Sequence, residues 1–139
     1  MTGPVVIDAS AAVALLADGG HAGDWVAATV AGARLAAPEL MPFEAANILR
    51  RHLLAGLLDA TAAGLAHADL VDLPVDLYPY RGLDERVWDL HGNLTVYDAG
   101  YVALAELLSA PLVTLDGRIG RAAGPKCPIV TYPSATATA

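Results

Sequence analysis

Short apolar runs rich in β-branched residues alternate along the chain with longer segments in which apolar residues recur at helical spacing. This alternation predicts strands over residues 4–7, 34–37, 75–78, 112–115 and 129–131. It predicts helices over residues 11–17, 22–31, 39–55, 61–72, 83–90, 99–108 and 117–122. Strands that alternate with helices are typical of βαβ units, so the pattern indicates an α/β fold with a parallel sheet covered on both faces.

The chain has the length of one domain. At 139 residues it can bury one hydrophobic core but not two. We predict a single domain over residues 1–133, without an internal repeat or a linker. The composition of residues 134–139, SATATA, predicts a disordered tail.

Apolar residues are unusually abundant, at 55% of the chain. No uncharged run reaches the roughly 18 apolar residues that a membrane-spanning helix needs. The start of the chain lacks the basic segment of a signal peptide, and a single cysteine excludes a disulfide framework. We therefore expect a cytoplasmic protein without membrane contact. The surplus of apolar residues predicts a homodimer, formed through the alanine-rich helices early in the chain and through segment 99–108.

The formal net charge is −7. Proteins that bind nucleic acid in general carry a basic footprint, so this charge argues against a general nucleic-acid-binding protein. It does not exclude a nuclease, because bound divalent cations offset the charge of the acids that hold them.

Two acidic residues come directly after predicted core strands: Asp8 ends VVID and Asp116 ends LVTLD. Ligands of parallel sheets bind beyond the carboxyl ends of the strands, so both carboxylates are expected at the same rim. Simpler interpretations exist for each. Asp8 can be a turn residue before a helix capped by Ser10, and Asp116 belongs to an Asp-Gly turn. Thr114, two residues before Asp116, points to the same side of its strand.

Two more acids lie on predicted helices. Asp98 follows Thr95 in the capping-box pattern [ST]-x-x-[DE], which suits helix initiation and does not prevent cation binding. Glu44, Asn47 and Arg51 fall at positions i, i+3 and i+7, and therefore share one helix face. On spacing alone, a solvated polar stripe is the simpler interpretation of that face.

Basic residues near these acids are candidates for positioning a phosphate group. Arg118 and Arg121 follow the second strand-end acid at helical spacing and are expected on one face near the rim. Pairing with surface acids is an equally good interpretation of both. Arg50 and Arg51 are similar candidates.

Other kinds of site have no support in the sequence. It contains no GxGxxG, no GxxxxGK[ST] and no GxSxG motif. The four histidines lack metal-ligand spacing. Cys127 is interpreted as a packed apolar residue, and Trp25 and Trp88 are interpreted as core anchors.

Three segments, in this order, resemble the PIN-domain proteins, and most closely the VapC group of bacterial toxin ribonucleases. They are VVIDASAAVALL, PFEAANILRR and TVYDAGYVALAELLSAPLVTLD, of which the third is the most specific. The resemblance covers essentially the whole chain. It implies a three-layer α/β/α sandwich with a central, mainly parallel sheet. It also implies a metal-dependent endoribonuclease that uses Mg²⁺ or Mn²⁺ and acts as the toxin of a toxin–antitoxin pair.

The resemblance carries an acidic site onto this chain by motif. The catalytic and metal-binding residues that it implies are Asp8, Glu44, Asp98 and Asp116, and the small polar neighbours are Ser10, Asn47 and Thr114. Two carboxylates about 4 Å apart repel by about 4 kcal/mol at an effective dielectric constant of about 20, so four gathered acids need a cation. An all-oxygen donor set suits Mg²⁺. The implied partners are an RNA substrate and a VapB-like antitoxin that brings a basic side chain to the acidic pocket.

Two other functions fit parts of the pattern. A non-catalytic PIN-like binding module would hold a metal or a basic peptide in the same pocket, and metal-dependent RNA cleavage would discriminate it from a nuclease. A receiver-type phosphoacceptor domain would carry adjacent acids after its first strand. Asp8 has no acidic neighbour, and segment 75–78 ends in Tyr-Pro-Tyr, so we discount the receiver.

Overall fold

A parallel β-sheet forms the centre of the molecule in the computed structural model, which describes residues 2–133. Its strands are β1 (Pro4–Ile7), β2 (Arg34–Pro38), β3 (Val75–Tyr78), β4 (Leu112–Thr114) and β5 (Ile129–Thr131). Their spatial order is β3-β2-β1-β4-β5, and every neighbouring pair is parallel. The predicted parallel sheet is therefore confirmed, with its strands within one residue of the predicted limits. The predicted tail, residues 134–139, lies outside the described residues.

Helices connect the strands, and they match the predicted segments with shifted starts. They are α1 (Ala9–Ala17), α2 (His21–Val30), α3 (Met41–Leu54), α4 (Ala60–Asp72), α5 (Asp84–Leu90), α6 (Val96–Leu107) and α7 (Gly117–Arg121). None of the helices within residues 2–133 is long and apolar enough to cross a membrane.

The prediction of Ser10 as a helix cap is wrong. The cap of α1 is Asp8, which has extended backbone angles and whose side chain accepts a hydrogen bond from the backbone N–H of Ala11. Ser10 lies inside the helix, because Asp8 is the only residue between the end of β1 at Ile7 and the start of α1 at Ala9. The strand-end acid therefore satisfies a free N–H of the helix that follows it.

The helices form two groups, one on each side of the sheet. Helix α1 packs against α2, α3 and α4, whereas α6 packs against α5. Both α1 and α6 contact the central strands β1 and β4. This arrangement is the expected three-layer α/β/α sandwich. The central strands are buried on both faces, which explains why their sequences are continuously apolar.

Both tryptophans were predicted to anchor the core, but only Trp25 packs against it. Trp25 is partly buried and packs edge-on against Tyr132, with the ring centroids 5.4 Å apart. Trp88 is 62% exposed and stacks on His91 instead. Helix α5 places Val87 and Leu90 in the core, and Trp88 falls between them on the outer side of this short helix.

Strand order determines where a ligand site can form. β1 lies at the centre of the sheet, with β2 on one side and β4 on the other. Strands β2 and β3 extend the sheet in one direction from β1, and β4 and β5 extend it in the opposite direction, so the order of the strands reverses between β1 and β4. Ile7 pairs with Val113, and their strands end side by side. Crevices at such a switch point, outside the carboxyl ends of the strands, are the usual ligand sites of open α/β sheets.

Candidate active site

Asp8 is the most deeply buried acid of the rim, with 6% of its surface exposed. Its Oδ1 atom accepts hydrogen bonds from Ser10 Oγ at 2.7 Å and from the Ala11 N–H at 2.9 Å. Its Oδ2 atom accepts one from the Thr114 hydroxyl. The carboxylate is therefore fixed by three donors, and the amino end of α1 favours its negative charge.

Thr114 and Ser10 join the two strand ends. Besides donating to Asp8, Thr114 accepts a hydrogen bond from the backbone N–H of Asp116 at 2.9 Å. Ser10 Oγ accepts one from the N–H of Leu115 at 3.1 Å. The predicted polar neighbours thus form a continuous network from β1 to the residues after β4. In this network each hydroxyl both donates and accepts.

Glu44 enters the site from the first turn of α3, and Asp98 enters it from the first turn of α6. Tyr101, one turn after Asp98, donates its hydroxyl to Glu44 Oε1 at 2.6 Å and so bridges the two helices. Thr95 caps α6 by accepting from the Asp98 N–H at 3.1 Å, as the capping-box pattern predicts. The cap leaves the Asp98 carboxylate on the cavity side of the helix.

Asp116 differs from the other acids because a cation neutralises it. It caps α7 through the N–H of Arg118, and the Arg118 guanidinium binds its Oδ2 atom at 2.8 Å. Arg118 itself is 81% exposed, so it can leave this ion pair without breaking any core contact. Both predicted interpretations of Arg118 therefore remain compatible: it pairs with a surface acid, and it lies at the rim.

The four acids line one cavity of about 260 Å³. Its wall also contains Ser10, Asn47, Ile48, Arg51, Tyr101 and Arg118. Thr114 lies beneath it, hydrogen-bonded to Asp8. Arg121 does not line it; this side chain lies over Gly117 and lines a neighbouring groove with Tyr132. Arg50 is likewise outside the cavity.

The acids repel one another. Burial raises the pKa of Asp8, against hydrogen bonds from Thr114, Ser10 and Ala11, and the charge of Asp98 raises it further. Burial also raises the pKa of Glu44, with added repulsion from Asp98 and Asp8. Burial and the charge of Asp116 raise the pKa of Asp98. The hydrogen bond from Arg118 lowers the pKa of Asp116. Three of the four carboxylates therefore carry charge that their protein neighbours do not balance.

The donor set fits a hard divalent cation in its chemistry, because it consists of carboxylate and hydroxyl oxygens beside uncompensated negative charge. Its geometry is more open. Within residues 2–133, no three acidic, histidine or cysteine side chains lie close enough together to enclose an ion. The hydrogen bonds described above account for this spread, since each of Asp8, Glu44 and Asp116 is turned toward its own donor. One or two carboxylates with water are the usual protein ligands of Mg²⁺, which this cavity can supply.

Tyr101 is the one cavity residue with a hydrogen-bonded role that the sequence interpretation missed. It lies in the motif YDAxYxALAE, three residues after Asp98. Because residues three apart share a helix face, its position beside a proposed site acid was an available signal. No signal in the sequence indicated that Glu44 is its partner, since 57 positions separate the two residues.

Comparisons with known proteins identify the family of this chain. The PIN domain family matches residues 5–125. A VapC ribonuclease of Mycobacterium bovis, Mb0985, is 42% identical over 93% of this chain and 98% of its own length. Ribonuclease VapC12 of Mycobacterium tuberculosis is 34% identical over 86% of this chain and 92% of its own length.

Two solved structures share the fold. PAE2754 from Pyrobaculum aerophilum superposes with a TM-score of 0.60 and 25% identity, covering 86% of this chain and 85% of that protein. Mycobacterium tuberculosis VapC20, described as a toxin that cleaves the sarcin–ricin loop, superposes with a TM-score of 0.64 at 17% identity over 84% of this chain and 93% of its own. The chain therefore belongs to the PIN-domain family and, within it, to the VapC group.

Proposed function

We propose that this protein is a metal-dependent endoribonuclease that cleaves RNA phosphodiester bonds as the toxin of a toxin–antitoxin pair, acting in the cytoplasm. One observation carries the proposal: Asp8, Glu44, Asp98 and Asp116 line a single cavity at the carboxyl ends of β1 and β4. The 42% identity to a VapC ribonuclease over almost the whole chain supports the same reaction.

Asp8 and Asp98 are the proposed principal ligands of Mg²⁺ or Mn²⁺, with Asp116 and Glu44 as further ligands. A divalent cation bound there would polarise the scissile phosphate and lower the pKa of an attacking water. The hydroxyls of Ser10 and Thr114 keep the Asp8 carboxylate in one orientation. Glu44 presents a carboxylate with one oxygen held by Tyr101, so its other oxygen is available to take a proton from water.

Basic side chains at the rim are proposed to hold the RNA backbone. Arg118 and Arg51 both line the acidic cavity. Arg118 can exchange its partner Asp116 for a phosphate oxygen, since the ion pair is exposed and such pairs contribute little stability. Arg121, outside the cavity, would contact only a more distant phosphate. Asn47 lines the cavity and is proposed to bind a substrate oxygen through its amide.

Cleavage of RNA by purified protein, with and without divalent cation, tests the proposal. Wild-type protein should cut RNA with Mg²⁺ or Mn²⁺ and stop when the ion is chelated, and sequencing of the RNA ends should give the cleavage site. Asp98→Asn should lose on the order of 100-fold or more, because even outer-shell partners of metal sites are worth about 10- to 100-fold. Asp69→Asn, an exposed acid on α4, is the matched control and should keep full activity. Wild-type rates from metal-supplemented Asp98→Asn would overturn the assignment of Asp98.

A non-catalytic module that holds a basic peptide is the second candidate, and a specific observation favours it. No three of the acids converge on one point within the described residues, and Asp116 already binds a guanidinium. The same assay separates the two functions, because a binding module would leave RNA intact at every metal concentration.

A VapB-like antitoxin is the proposed protein partner. Beside the acidic cavity lies a second, larger cavity of about 620 Å³ with an apolar wall between α1 and α3. The two cavities share Ser10, Ile48 and Arg51. An apolar helix of the antitoxin can occupy the larger cavity while one of its basic side chains reaches the acids.

We also propose a homodimer, but through a surface other than the one that the sequence suggested. Segment 99–108 was expected to contribute, yet residues 99–105 are buried within their own chain. Exposed apolar side chains gather instead around a groove of about 370 Å³, which Phe43, Tyr80, Val96 and Tyr97 line. Phe43 alone is 82% exposed. We call this groove the aromatic patch and propose that a second copy covers it.

A further inference from the structure

Tyr101 combines deep burial with a polar contact. Only 2% of its surface is exposed, and it is the largest of the fully buried side chains. Its ring packs in the core beside α6 neighbours, while its hydroxyl reaches the wall of the acidic cavity. A phenylalanine would fill the same core volume without a polar atom to desolvate. The hydroxyl is therefore explained by what it contacts and not by packing.

The contact is a single, short hydrogen bond. Tyr101 Oη donates to Glu44 Oε1 at 2.6 Å, the distance of a charge-assisted bond. The backbone of Ala9, the first residue of α1, is close enough to act on the same hydroxyl. Among the described residues, Tyr101 supplies the only side-chain donor to Glu44.

The surroundings of the Tyr101 hydroxyl favour its protonated form. Burial raises the pKa of Tyr101 far above its usual value, and both the hydrogen bond to Glu44 and the charges of Glu44 and Asp8 raise it further. These surroundings favour the protonated hydroxyl, which donates its hydrogen bond to Glu44.

Glu44 needs such a restraint. It is half-buried at the start of α3, and its side chain has several rotatable bonds. The charges of Asp98 and Asp8 repel it. Without a donor, this repulsion would turn the carboxylate outward to solvent. With Oε1 held by Tyr101, the second oxygen keeps one position on the cavity wall.

We infer that Tyr101 is a positioning residue, which fixes the Glu44 carboxylate so that one oxygen faces the cavity where metal and water bind. The inference rests on the proposed nuclease function and goes beyond it, because it assigns a role to a core aromatic residue on another helix. The role assigned to Tyr101 requires no contact with RNA or metal. Its effect passes entirely through Glu44.

Tyr101→Phe tests the inference, since it deletes one oxygen and keeps the ring. We expect cleavage and Mn²⁺ affinity to fall about 10- to 100-fold, as for other outer-shell partners of metal sites. Mn²⁺ affinity is measured by titration calorimetry, which does not depend on turnover. Tyr132→Phe is the matched control. It removes the hydroxyl of a partly buried tyrosine, which packs on Trp25 and makes no side-chain hydrogen bond among the described residues.

A double-mutant cycle separates positioning from a general effect on the fold. In a Glu44→Gln background, Tyr101→Phe should have little further effect on cleavage or on Mn²⁺ affinity, because the residue through which it acts has lost its charge. An equal loss in both backgrounds would overturn the inference, as would wild-type behaviour of Tyr101→Phe.

The failure of the proposed function would look different. If wild-type protein bound Mn²⁺ but left RNA intact, the nuclease proposal would fall, while the affinities in the same cycle would still decide the role of Tyr101. If wild-type protein neither bound Mn²⁺ nor cut RNA, both would be overturned.

Discussion

Asp8 shows how one residue can serve the fold and the site together. Its carboxylate caps α1, joins β1 to β4 through Thr114, and lines the acidic cavity. Capping and ion binding use different lone pairs of the same two oxygens. The expense of burying a charge at the end of a core strand is therefore offset by three donors and a helix dipole.

Thr114→Val should destabilise the protein because Thr114 is fully buried and its hydroxyl serves two partners. Valine keeps the shape but leaves Asp8 Oδ2 and the Asp116 N–H without their hydrogen bonds. We expect a loss of about 1–3 kcal/mol in the free energy of unfolding, measured with urea. Thr131→Val is the matched control, since Thr131 pairs with Thr114 on the adjacent strand and makes no side-chain hydrogen bond within residues 2–133. Equal losses in both variants would contradict this account of the network.

At the scale of elements, the strand ends were predictable and the start of α1 was not. Two apolar runs that each end in Asp predict a shared acidic rim, because parallel strands end on the same side of a sheet. The cap of α1 depends instead on how many residues link β1 to α1: Asp8 alone does so, and it is therefore the cap in place of Ser10. Trp88 was misplaced for a similar reason: its helix is too short for periodicity to define a buried face. The Tyr101–Glu44 contact joins separate helices and has no local signal.

The ion pair between Arg86 and Glu106 connects α5, α6 and the turn before β5. Arg86 binds Glu106 with a Nε–Oε1 distance of 2.6 Å and also donates to the carbonyl oxygen of Gly124 at 2.9 Å. Glu106 accepts from the Lys126 N–H at 2.7 Å as well. The stability of this corner should therefore depend on the charge of Glu106.

Glu106→Gln should lower the free energy of unfolding at neutral pH by about 1–3 kcal/mol, the usual value of hydrogen bonds to charged groups. Burial acts to raise the pKa of Glu106, but the bonds from Arg86 and Lys126 prevail and the pKa lies below its usual 4.5. Because the pKa of this acid is lower in the folded state, its charge stabilises the fold above pH 4.5, and this stability is lost as the pH falls through the folded-state pKa.

The pH dependence of the two proteins provides the measurement. Urea unfolding of wild type and Glu106→Gln is measured between pH 7 and pH 3. The difference between their free energies of unfolding should narrow as the pH falls below 4.5. A difference that stayed constant would mean that the charge of Glu106 contributes nothing. Asp98→Asn should show the opposite trend, because the pKa of Asp98 is raised. The free energy of unfolding of metal-free wild type should therefore rise relative to that of this variant as the pH falls.

At the scale of the whole molecule, apolar surface and negative charge are distributed unevenly. The acids gather at one rim, next to an apolar cavity on one side and close to the aromatic patch on another. Phe43 and Glu44 are consecutive on α3, as are Tyr97 and Asp98 on α6, which places the aromatic patch beside the acids. Composition predicted surplus apolar surface but not its location, because the location depends on which helix faces the sheet covers.

Phe43→Asp should convert the proposed dimer to a monomer, because it places a charge at the centre of the aromatic patch. Sedimentation velocity across micromolar concentrations measures the change. Leu65→Asp, at an exposed apolar position on α4, is the control and should leave the sedimentation coefficient of wild type unchanged. A wild-type protein that sediments as a monomer throughout would refute the dimer.

Association with the proposed antitoxin should slow as salt rises, because the acidic rim attracts a basic partner over a distance that salt shortens. The Debye length falls from about 10 Å at 0.1 M to about 3 Å at 1 M, whereas apolar contacts do not weaken in this way. Stopped-flow measurements should show a falling association rate and a nearly constant dissociation rate. Asp98→Asn with Asp116→Asn should flatten the salt slope more than Asp69→Asn with Asp76→Asn, which removes the same charge from exposed positions elsewhere. Equal slopes would exclude the rim as the steering site.

The hydrogen bond between Thr114 and Asp8 joins residues 106 positions apart. A ribosome adds Thr114 after Asp8, Glu44 and Asp98, so a growing chain cannot close the acidic cavity until Thr114 has emerged. Glu44 and Asp98 come from helices between these two points and depend on the same closure. An interrupted translation product therefore lacks the assembled centre. The cell that synthesises this protein is exposed to its proposed nuclease activity only after Asp116, the last of the four acids, has been added.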